Sequence, residues 1–344
     1  MKFTATAVQP SIQLPYPSKD TFDANAVSAN VQHTCLQIKR ASEECGSKLV
    51  VFPEFFLTGY TLGVGVDGWR NVSVRFPGPE IDALCEAAVQ NNVYVAGAAY
   101  EVIDAFPGRF FNTAFLISPA GEVVLKYRKL YAMTTKTRPG DVLDEWIALF
   151  GSDSLLPVAE TSIGRIGALI ARDTHWPELA RNLALKGAEI LLVHNAAGAE
   201  PSNGGKFARA SRAYENHCYL ICSNIGPFIA NGKAEAGSGR APTEIIDYEG
   251  NQIAGCEQTD PTWVNGEIDL EKLRRFRCGE SPKGNFLAQF QPQLHAPIYN
   301  SASLFPSNKW RDTPISEGSE NALAEKEVIE RMIQSNLLIA PKTN

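Results

Sequence analysis

Residues 163–178 read IGRIGALIARDTHWPE, and they combine a buried strand, an abrupt turn and the start of a helix. Residues 166–170 are apolar on both faces, as in a strand of a sheet that is covered on both sides. Pro177 and Glu178 make a favourable first turn for a helix predicted over residues 178–186. The segment between them, residues 171–176, must therefore lie where the strand ends and the chain turns.

This stretch resembles the elbow of the nitrilase superfamily of carbon–nitrogen hydrolases, which reads Gly-x-x-Ile-Cys-x-Asp-x-x-aromatic-Pro-Glu with cysteine as the nucleophile. Every framework element of that pattern is present here, but the residue at the nucleophile position is Ala171. An alanine methyl group cannot attack a carbonyl carbon, and the loss of a nucleophile costs several orders of magnitude in rate. We therefore expect this chain to bind substrate and scarcely turn it over.

Glu54 directly follows an apolar strand that is predicted to begin at Lys48 and to end at Pro53, and the residues after it are Phe55, Phe56 and Leu57. A carboxylate among apolar neighbours should have a raised pKa, which suits a general base, although a solvated carboxylate at a strand end is the alternative. The phrase FPEFFLTGY resembles the family signature that assigns the catalytic glutamate to Glu54. Tyr60, which ends this phrase, is expected to contact the substrate.

A predicted hairpin carries the third signature of the family. Strands over residues 110–118 and 122–130 flank a Pro-Ala-Gly turn, which suits antiparallel pairing. Within the hairpin, Lys126 and Arg128 can be ordinary exposed charges, whereas Lys129 ends the strand beside an apolar residue. The resemblance assigns the catalytic lysine to Lys129, where a buried ammonium could hold the oxyanion of a tetrahedral intermediate. A solvated strand end is the alternative for Lys129.

Beyond Lys129 the chain departs from the family pattern. Many members carry a second glutamate seven or eight residues after this lysine, and those positions are Lys136 and Thr137 here. Asp144 or Glu145 could take its place from the following helical segment, and the sequence leaves this open.

Two explanations of Ala171 are open. One is the deliberate replacement of a native cysteine so that a substrate survives in a crystal, and the retention of Glu54, Lys129 and Asp173 favours it. The other is natural loss of the nucleophile in a protein that serves as a binding or regulatory homologue.

The elbow also bears on the substrate. True nitrilases usually read Cys-Trp-Glu there, whereas amidases and carbamoylases place an aspartate before aromatic-Pro-Glu, as this chain does. The resemblance thus implies a small-molecule amide, with an N-carbamoyl amino acid or a nitrile as alternatives. Arg172 and His175 could recognise a substrate carboxylate or cap local backbone. Asn195, at a strand end, is expected to contact substrate rather than simply to cap the loop. For the adjacent His194 neither a substrate contact nor a structural role is favoured.

The composition excludes several classes of protein. A net charge of −6 and an isoelectric point near 5.5 give no electrostatic support to nucleic-acid or anionic-membrane binding. No apolar run approaches the roughly 18 to 20 residues of a membrane span. The segment from Met1 to Val8 is too short to be the hydrophobic region of a signal sequence, so a cytoplasmic protein is expected. The seven cysteines lack Cys-x-x-Cys pairs and the five histidines lack metal-ligand spacing, which predicts no metal site and no cofactor. Cys218 and Cys222 are expected to be inert core residues on one face of a strand.

Helical and strand patterns alternate over residues 25–101, which predicts an α/β fold. The resemblance implies an αββα sandwich of two mixed β-sheets flanked by helices, spanning residues 1–279. Residues 280–344 are rich in Pro, Ser, Asn and Gln, and only residues 317–337 have a helical pattern. We expect this C-terminal tail to pack on the domain or on a partner subunit, in a homodimer or higher homo-oligomer.

Overall fold

The computed structural model of the chain describes residues 1–132, 134–196, 204–240, 242–280, 284–302 and 304–341. Its strands are β1 (Lys2–Gln9), β2 (Ile12–Gln13), β3 (Ser47–Glu54), β4 (Tyr94–Glu101), β5 (Phe111–Ile117), β6 (Val123–Arg128), β7 (Val158–Thr161), β8 (Gly164–Ile170), β9 (Ile190–His194), β10 (Tyr219–Ser223), β11 (Phe228–Ala230), β12 (Lys233–Ala234), β13 (Thr243–Ile246), β14 (Gln252–Cys256) and β15 (Thr262–Asp269). Its α-helices are α1 (Ala26–Cys45), α2 (Val66–Asn71), α3 (Pro79–Asn91), α4 (Leu143–Phe150), α5 (Pro177–Leu185), α6 (Gly204–Asn216), α7 (Leu270–Arg275), α8 (Phe286–Gln289), α9 (Ala296–Ser301) and α10 (Gly318–Gln334).

The strands form two six-stranded sheets with the orders β15-β1-β3-β4-β5-β6 and β14-β13-β10-β9-β8-β7. In each sheet three central strands run parallel and the outer strands pair antiparallel, so both sheets are mixed. At the centre of the second sheet, Leu192 lies between Ala168 and Ile221 in register, and all three side chains are buried in the same cluster. A small third sheet has the order β12-β11-β2.

The core is built from strands that are apolar on both faces. One face of each sheet contributes to a shared cluster between the sheets, which includes Leu49 and Val51 of β3 and Ile166 of β8. Alternate residues of β3 pack instead against α1 and α3, and those of β8 to β10 pack against α5 and α6. The layers therefore run helix, sheet, sheet, helix, which confirms the predicted αββα sandwich.

Helix α1 illustrates why the local predictions succeed. Its buried residues Val31, Ile38 and Ala41 recur at helical spacing, so one face lies on the sheet. Gly46 caps the C-terminus of the helix with a φ of 63°, in the left-handed region. Glycine adopts this conformation without steric strain because it has no side chain.

The predicted hairpin is present as β5 and β6, but one of its expected features is wrong. Arg128 is not an exposed charge: its side chain is 6% exposed and makes two hydrogen bonds of 2.8 Å to Glu101. Only the sheet shows that Glu101, which lies two strands away on β4, contacts Arg128. Cys218 and Cys222 are fully buried in one cluster, as predicted, and all seven cysteines are free.

The C-terminal tail returns to the body of the domain through α10. Asn321 of this helix is 4% exposed, donates to the Thr134 carbonyl oxygen at 2.8 Å and accepts from Arg138 at 3.3 Å. The tail thus holds the segment that follows the hairpin. Within the described part of the chain, no helix is long and apolar enough to cross a membrane.

Candidate active site

Glu54 lies at the end of β3, buried between the sheet and the chain that follows the hairpin. It is 3% exposed, and its Oε1 atom accepts hydrogen bonds from Asn112 Nδ2 at 2.6 Å and from Lys129 Nζ at 2.7 Å. Lys129 itself is 7% exposed and directly follows β6. The fold therefore joins a carboxylate and an ammonium that lie 75 residues apart in the sequence.

Lys136 is a second ammonium at the same carboxylate. Its Nζ lies 3.8 Å from Glu54 Oε1, 4.7 Å from the ring centre of Phe55 and 5.2 Å from that of Tyr100, and the residue is 5% exposed. This is one of the two positions where many family members carry their second glutamate. Asp144 and Glu145, the possible substitutes, are exposed on α4 and so do not replace it.

The pKa of Glu54 corrects the sequence prediction. Burial raises the pKa, but Lys129 and Lys136, together with the hydrogen bonds from Lys129 and Asn112, outweigh burial and hold the pKa below its ordinary value. The predicted raised pKa is therefore wrong, because the sequence neighbours of Glu54 do not reveal its partners. Burial lowers the pKa of Lys136 to about 7, with Lys129 adding to the shift and Glu54 and Asp173 opposing it.

The elbow is a 3₁₀ turn, Ala171–His175, between β8 and α5. Ala171 is 8% exposed and has a φ of 44°, in the left-handed region that residues with a side chain rarely adopt. Such a backbone costs on the order of 1–3 kcal/mol and persists only where the surroundings fix it. Here the Thr174 hydroxyl donates to the Ala171 carbonyl oxygen at 2.8 Å. The strained backbone is therefore retained at Ala171, although the side chain there is only a methyl group.

Asp173 ties the elbow to the lysine segment. This fully buried carboxylate accepts hydrogen bonds from the Tyr127 hydroxyl at 2.7 Å, the Tyr131 N–H at 3.1 Å and the Ile170 N–H at 3.3 Å. Tyr127 and Tyr131 flank Lys129 in sequence, so the elbow and the lysine are held in one region. Burial raises the pKa of Asp173 to about 6, opposed by Lys129 and by these three hydrogen bonds.

The residues predicted to contact substrate have different surroundings. Tyr60 is half-buried and lines a cavity of about 430 Å³ together with the rings of Trp69, Tyr100 and Phe110. Arg172 is exposed and lies 5.8 Å from the ring centre of Trp176, on the outside of the elbow. Asn195 is 4% exposed at the end of β9.

His194 is fully buried at the end of β9, and its Nδ1 lies 2.6 Å from the Phe52 carbonyl oxygen. A carbonyl oxygen only accepts, so Nδ1 carries the proton and Nε2 is an acceptor, and that atom has no partner among the described residues. Burial lowers the pKa of His194 to about 4, with the hydrogen bond to Phe52 and the charge of Glu54 opposing the shift. The ring is therefore neutral at physiological pH.

Sequence reasoning missed the places of Asn112 and Lys136 in this cluster. Asn112 lies in the first predicted strand of the hairpin, but its contact with Glu54 depends on the sheet order, in which β4 alone separates β5 from β3. Lys136 occupies a position that departs from the family pattern, but no local pattern around it indicates that it is buried. In the described ranges, no group of three His, Cys, Asp or Glu residues is arranged to hold a metal ion.

Comparisons with known proteins agree with this architecture. A sequence profile of the carbon–nitrogen hydrolase family matches residues 4–278. The formamidase of Bacillus thuringiensis (strain Al Hakam) is 31% identical over 249 residues, which cover 70% of this chain and 67% of the formamidase.

Two solved structures share the fold. A mutant of the amidase from Nesterenkonia sp. AN1 in complex with butyramide has a TM-score of 0.61 at 19% identity, covering 86% of this chain and 96% of that one. Saccharomyces cerevisiae Nit3, a member of branch 10 of the nitrilase superfamily, has a TM-score of 0.61 at 22% identity, covering 82% of this chain and 95% of that one.

Proposed function

The chain belongs to the carbon–nitrogen hydrolase family, and on that premise we propose that its buried site binds a small amide without completing its hydrolysis. The observation that carries the proposal is the buried Glu54–Lys129 pair, 2.7 Å apart, in a chain with a methyl group at the elbow. The formamidase relatives and the amidase with bound butyramide support an amide as the ligand class.

The resemblance implies a mechanism whose first chemical step this chain cannot perform. In that mechanism the glutamate deprotonates the cysteine and the thiolate attacks the amide carbon. The lysine, with a backbone N–H near Arg172, stabilises the oxyanion, ammonia or an amine leaves, and water hydrolyses the thioester. Ala171 offers no group that can be deprotonated or can attack. Lys129 can still donate to the carbonyl oxygen of a bound amide. The site can therefore bind the amide although it cannot hydrolyse it.

Lys136 bears on how the nucleophile was lost. The sequence favoured deliberate replacement of a cysteine, because Glu54, Lys129 and Asp173 are retained. A single cysteine-to-alanine change does not account for a lysine buried against Glu54 at a family glutamate position. Two altered positions in one site support natural loss, and we propose that the protein is a binding homologue.

Restoring the nucleophile tests this proposal. We expect Ala171→Cys to raise ammonia release from butyramide or formamide by about two orders of magnitude or more over the unmodified chain. Adding Lys136→Glu should raise the rate further, because Glu54 then loses a competing ammonium and becomes a stronger base. The measurement is ammonia release from a panel of amides, ureides and nitriles, so that the N-carbamoyl amino acid and nitrile alternatives are tested too.

Calorimetric titration of the unmodified chain with the same amides measures binding separately. Glu54→Gln in the Ala171→Cys background is the matched control, and it should abolish any restored activity. If the unmodified chain binds no amide and neither cysteine variant releases ammonia, the proposal is wrong.

We also propose that the tail assembles the protein into a homodimer or higher homo-oligomer. Several large apolar side chains of the tail are exposed on a single chain, among them Ile298 at 70% and Leu323 at 62%. Packing of these side chains against a second copy of the chain would remove their apolar surface from water.

A further inference from the structure

We infer that this site binds the carboxylate of a small organic acid in preference to the amide of the same shape. The inference rests on the proposed function, because it names the ligand class of the same site. It is carried by the surroundings of Lys136, which the proposed role of Glu54 and Lys129 does not use.

The first step is the hydrogen-bonding state of Lys136. An ammonium group has three N–H donors, and buried donors are nearly always paired. Its Nζ lies 3.8 Å from Glu54 Oε1, which is beyond hydrogen-bond distance, and it makes no hydrogen bond to any other described residue. Its other close neighbours are the faces of Phe55 and Tyr100. Within the described ranges the Lys136 ammonium therefore has no hydrogen-bond acceptor, and a ligand oxygen would supply one.

The second step is the balance of charge around that group. Lys129 and Lys136 both face a single oxygen of Glu54, and all three side chains are less than a tenth exposed. Asp173 is the other nearby carboxylate, but its oxygens already accept from three donors in the elbow and hairpin. Glu54, the carboxylate closest to Lys136, is thus shared with Lys129. A ligand carboxylate would be attracted by both ammonium groups, whereas an amide carries no charge to offer.

The third step is room for the acid. Tyr100 contributes its ring both to the contact with Lys136 and to the wall of the 430 Å³ cavity, beside Tyr60, Trp69 and Phe110. The same cavity is lined by Thr134 and Thr135, which directly precede Lys136 in the chain. Lys136 does not itself line this cavity, but its neighbours Tyr100 and Thr135 do. The ligand that we propose is therefore a small acid whose apolar chain lies against these rings and whose carboxylate reaches past Tyr100 to Lys136.

The titratable groups that face Lys136 determine the dependence on pH. They are Glu54, Lys129 and Asp173, with Tyr100, whose pKa burial raises, so that it stays neutral. Lys136 has a pKa of about 7 in the ligand-free chain. Below pH 7 it is already charged and attracts an acid, and above pH 7 it must first take up a proton. Binding of the carboxylate therefore weakens as pH rises through 7.

The test compares butyrate with butyramide, which have nearly the same shape, by calorimetric titration of the full chain at pH 6 and pH 8. We expect butyrate to bind at least tenfold more tightly than butyramide at pH 6, with a smaller advantage at pH 8. In Lys136→Met the advantage should disappear. In Lys39→Met, which changes an exposed lysine of α1, it should remain.

Each other outcome overturns something specific. Binding of butyramide as tight as that of butyrate at pH 6 overturns the inference and leaves the proposed function standing, whereas binding of neither ligand overturns both. A butyrate advantage that survives in Lys136→Met overturns the assignment to Lys136. If this variant does not fold, proton uptake on binding of butyrate to the unmodified chain at pH 8 decides, measured in buffers of different ionisation enthalpy. Asp173 is ionised at that pH, so no uptake means that Lys136 does not receive the acid.

Discussion

At the residue scale, the sign of a pKa shift depends on partners that sequence distance conceals. Glu54 is as buried as its apolar neighbours predict, yet its pKa falls because Lys129 and Lys136 lie against the same oxygen. The desolvation cost of this arrangement falls on Lys136, whose pKa is lowered from 10.5 to about 7. A group of this kind makes folding depend on pH, because the folded and unfolded chains bind its proton differently.

Replacing Lys136 with methionine should therefore stabilise the protein at neutral pH. Below pH 7 both states carry the proton, and between about pH 7 and 10.5 only the unfolded chain does, so the stability of the parent rises with pH in that window. Lys136→Met removes the buried charge and should raise the free energy of unfolding at pH 7 by about 1–3 kcal/mol. Its advantage should shrink by pH 9. Urea unfolding of both proteins at pH 6, 7 and 9 measures this, and a less stable variant at pH 7 would contradict it.

At the scale of elements, the hairpin β5–β6 is held to β4 by a buried ion pair. Arg128 and Glu101 make two hydrogen bonds of 2.8 Å, and Thr113 of the intervening strand donates to the same carboxylate at 2.6 Å. The hairpin leads directly into Lys129, so this pair also fixes the point at which the lysine leaves the sheet. Removing one partner of such a pair leaves a buried charge without compensation.

Arg128→Ala should accordingly lower the free energy of unfolding by about 3–5 kcal/mol. The matched control is Arg40→Ala, which removes the arginine of an exposed pair with Glu44 on α1 and should leave stability near the parent value. Chemical unfolding of both variants at pH 7 makes the comparison. Equal losses in the two variants would mean that the burial of Arg128 has no energetic consequence.

At the scale of the whole molecule, the tail lies on the domain at α10 and exposes apolar side chains elsewhere. Asn321 joins it to Thr134, two residues before Lys136, so the tail supports the segment that completes the site. The Ser316–Gly318 stretch lines the same cavity as Tyr60. The cavity beside the candidate site is thus lined by the sandwich and by the tail together.

The proposed oligomer predicts a solution mass of at least twice the 37.5 kDa of one chain. Light scattering coupled to size-exclusion chromatography, at protein concentrations from low to high micromolar, measures it. Ile298→Glu, which places a charge among the exposed apolar residues of the tail, should shift the protein toward the monomer, whereas Lys326→Glu on α10 serves as the control. A monomer at every concentration would rule the assembly out.

The sequence by itself predicted an α/β fold, and its resemblance to the family implied the αββα sandwich and the most distinctive residues of the candidate site. These features depend only on residues that are close together in the sequence. They are the strands that are apolar on both faces, the elbow at residues 163–178 and the motifs around Glu54 and Lys129. The sequence also placed Ala171 where a nucleophile is expected. Only the tertiary structure decided that Lys136 joins Glu54 and that Arg128 is buried. The physical reason is that the energy of a charge depends on which groups surround it, and the sheet and the tail bring those groups together from distant parts of the chain.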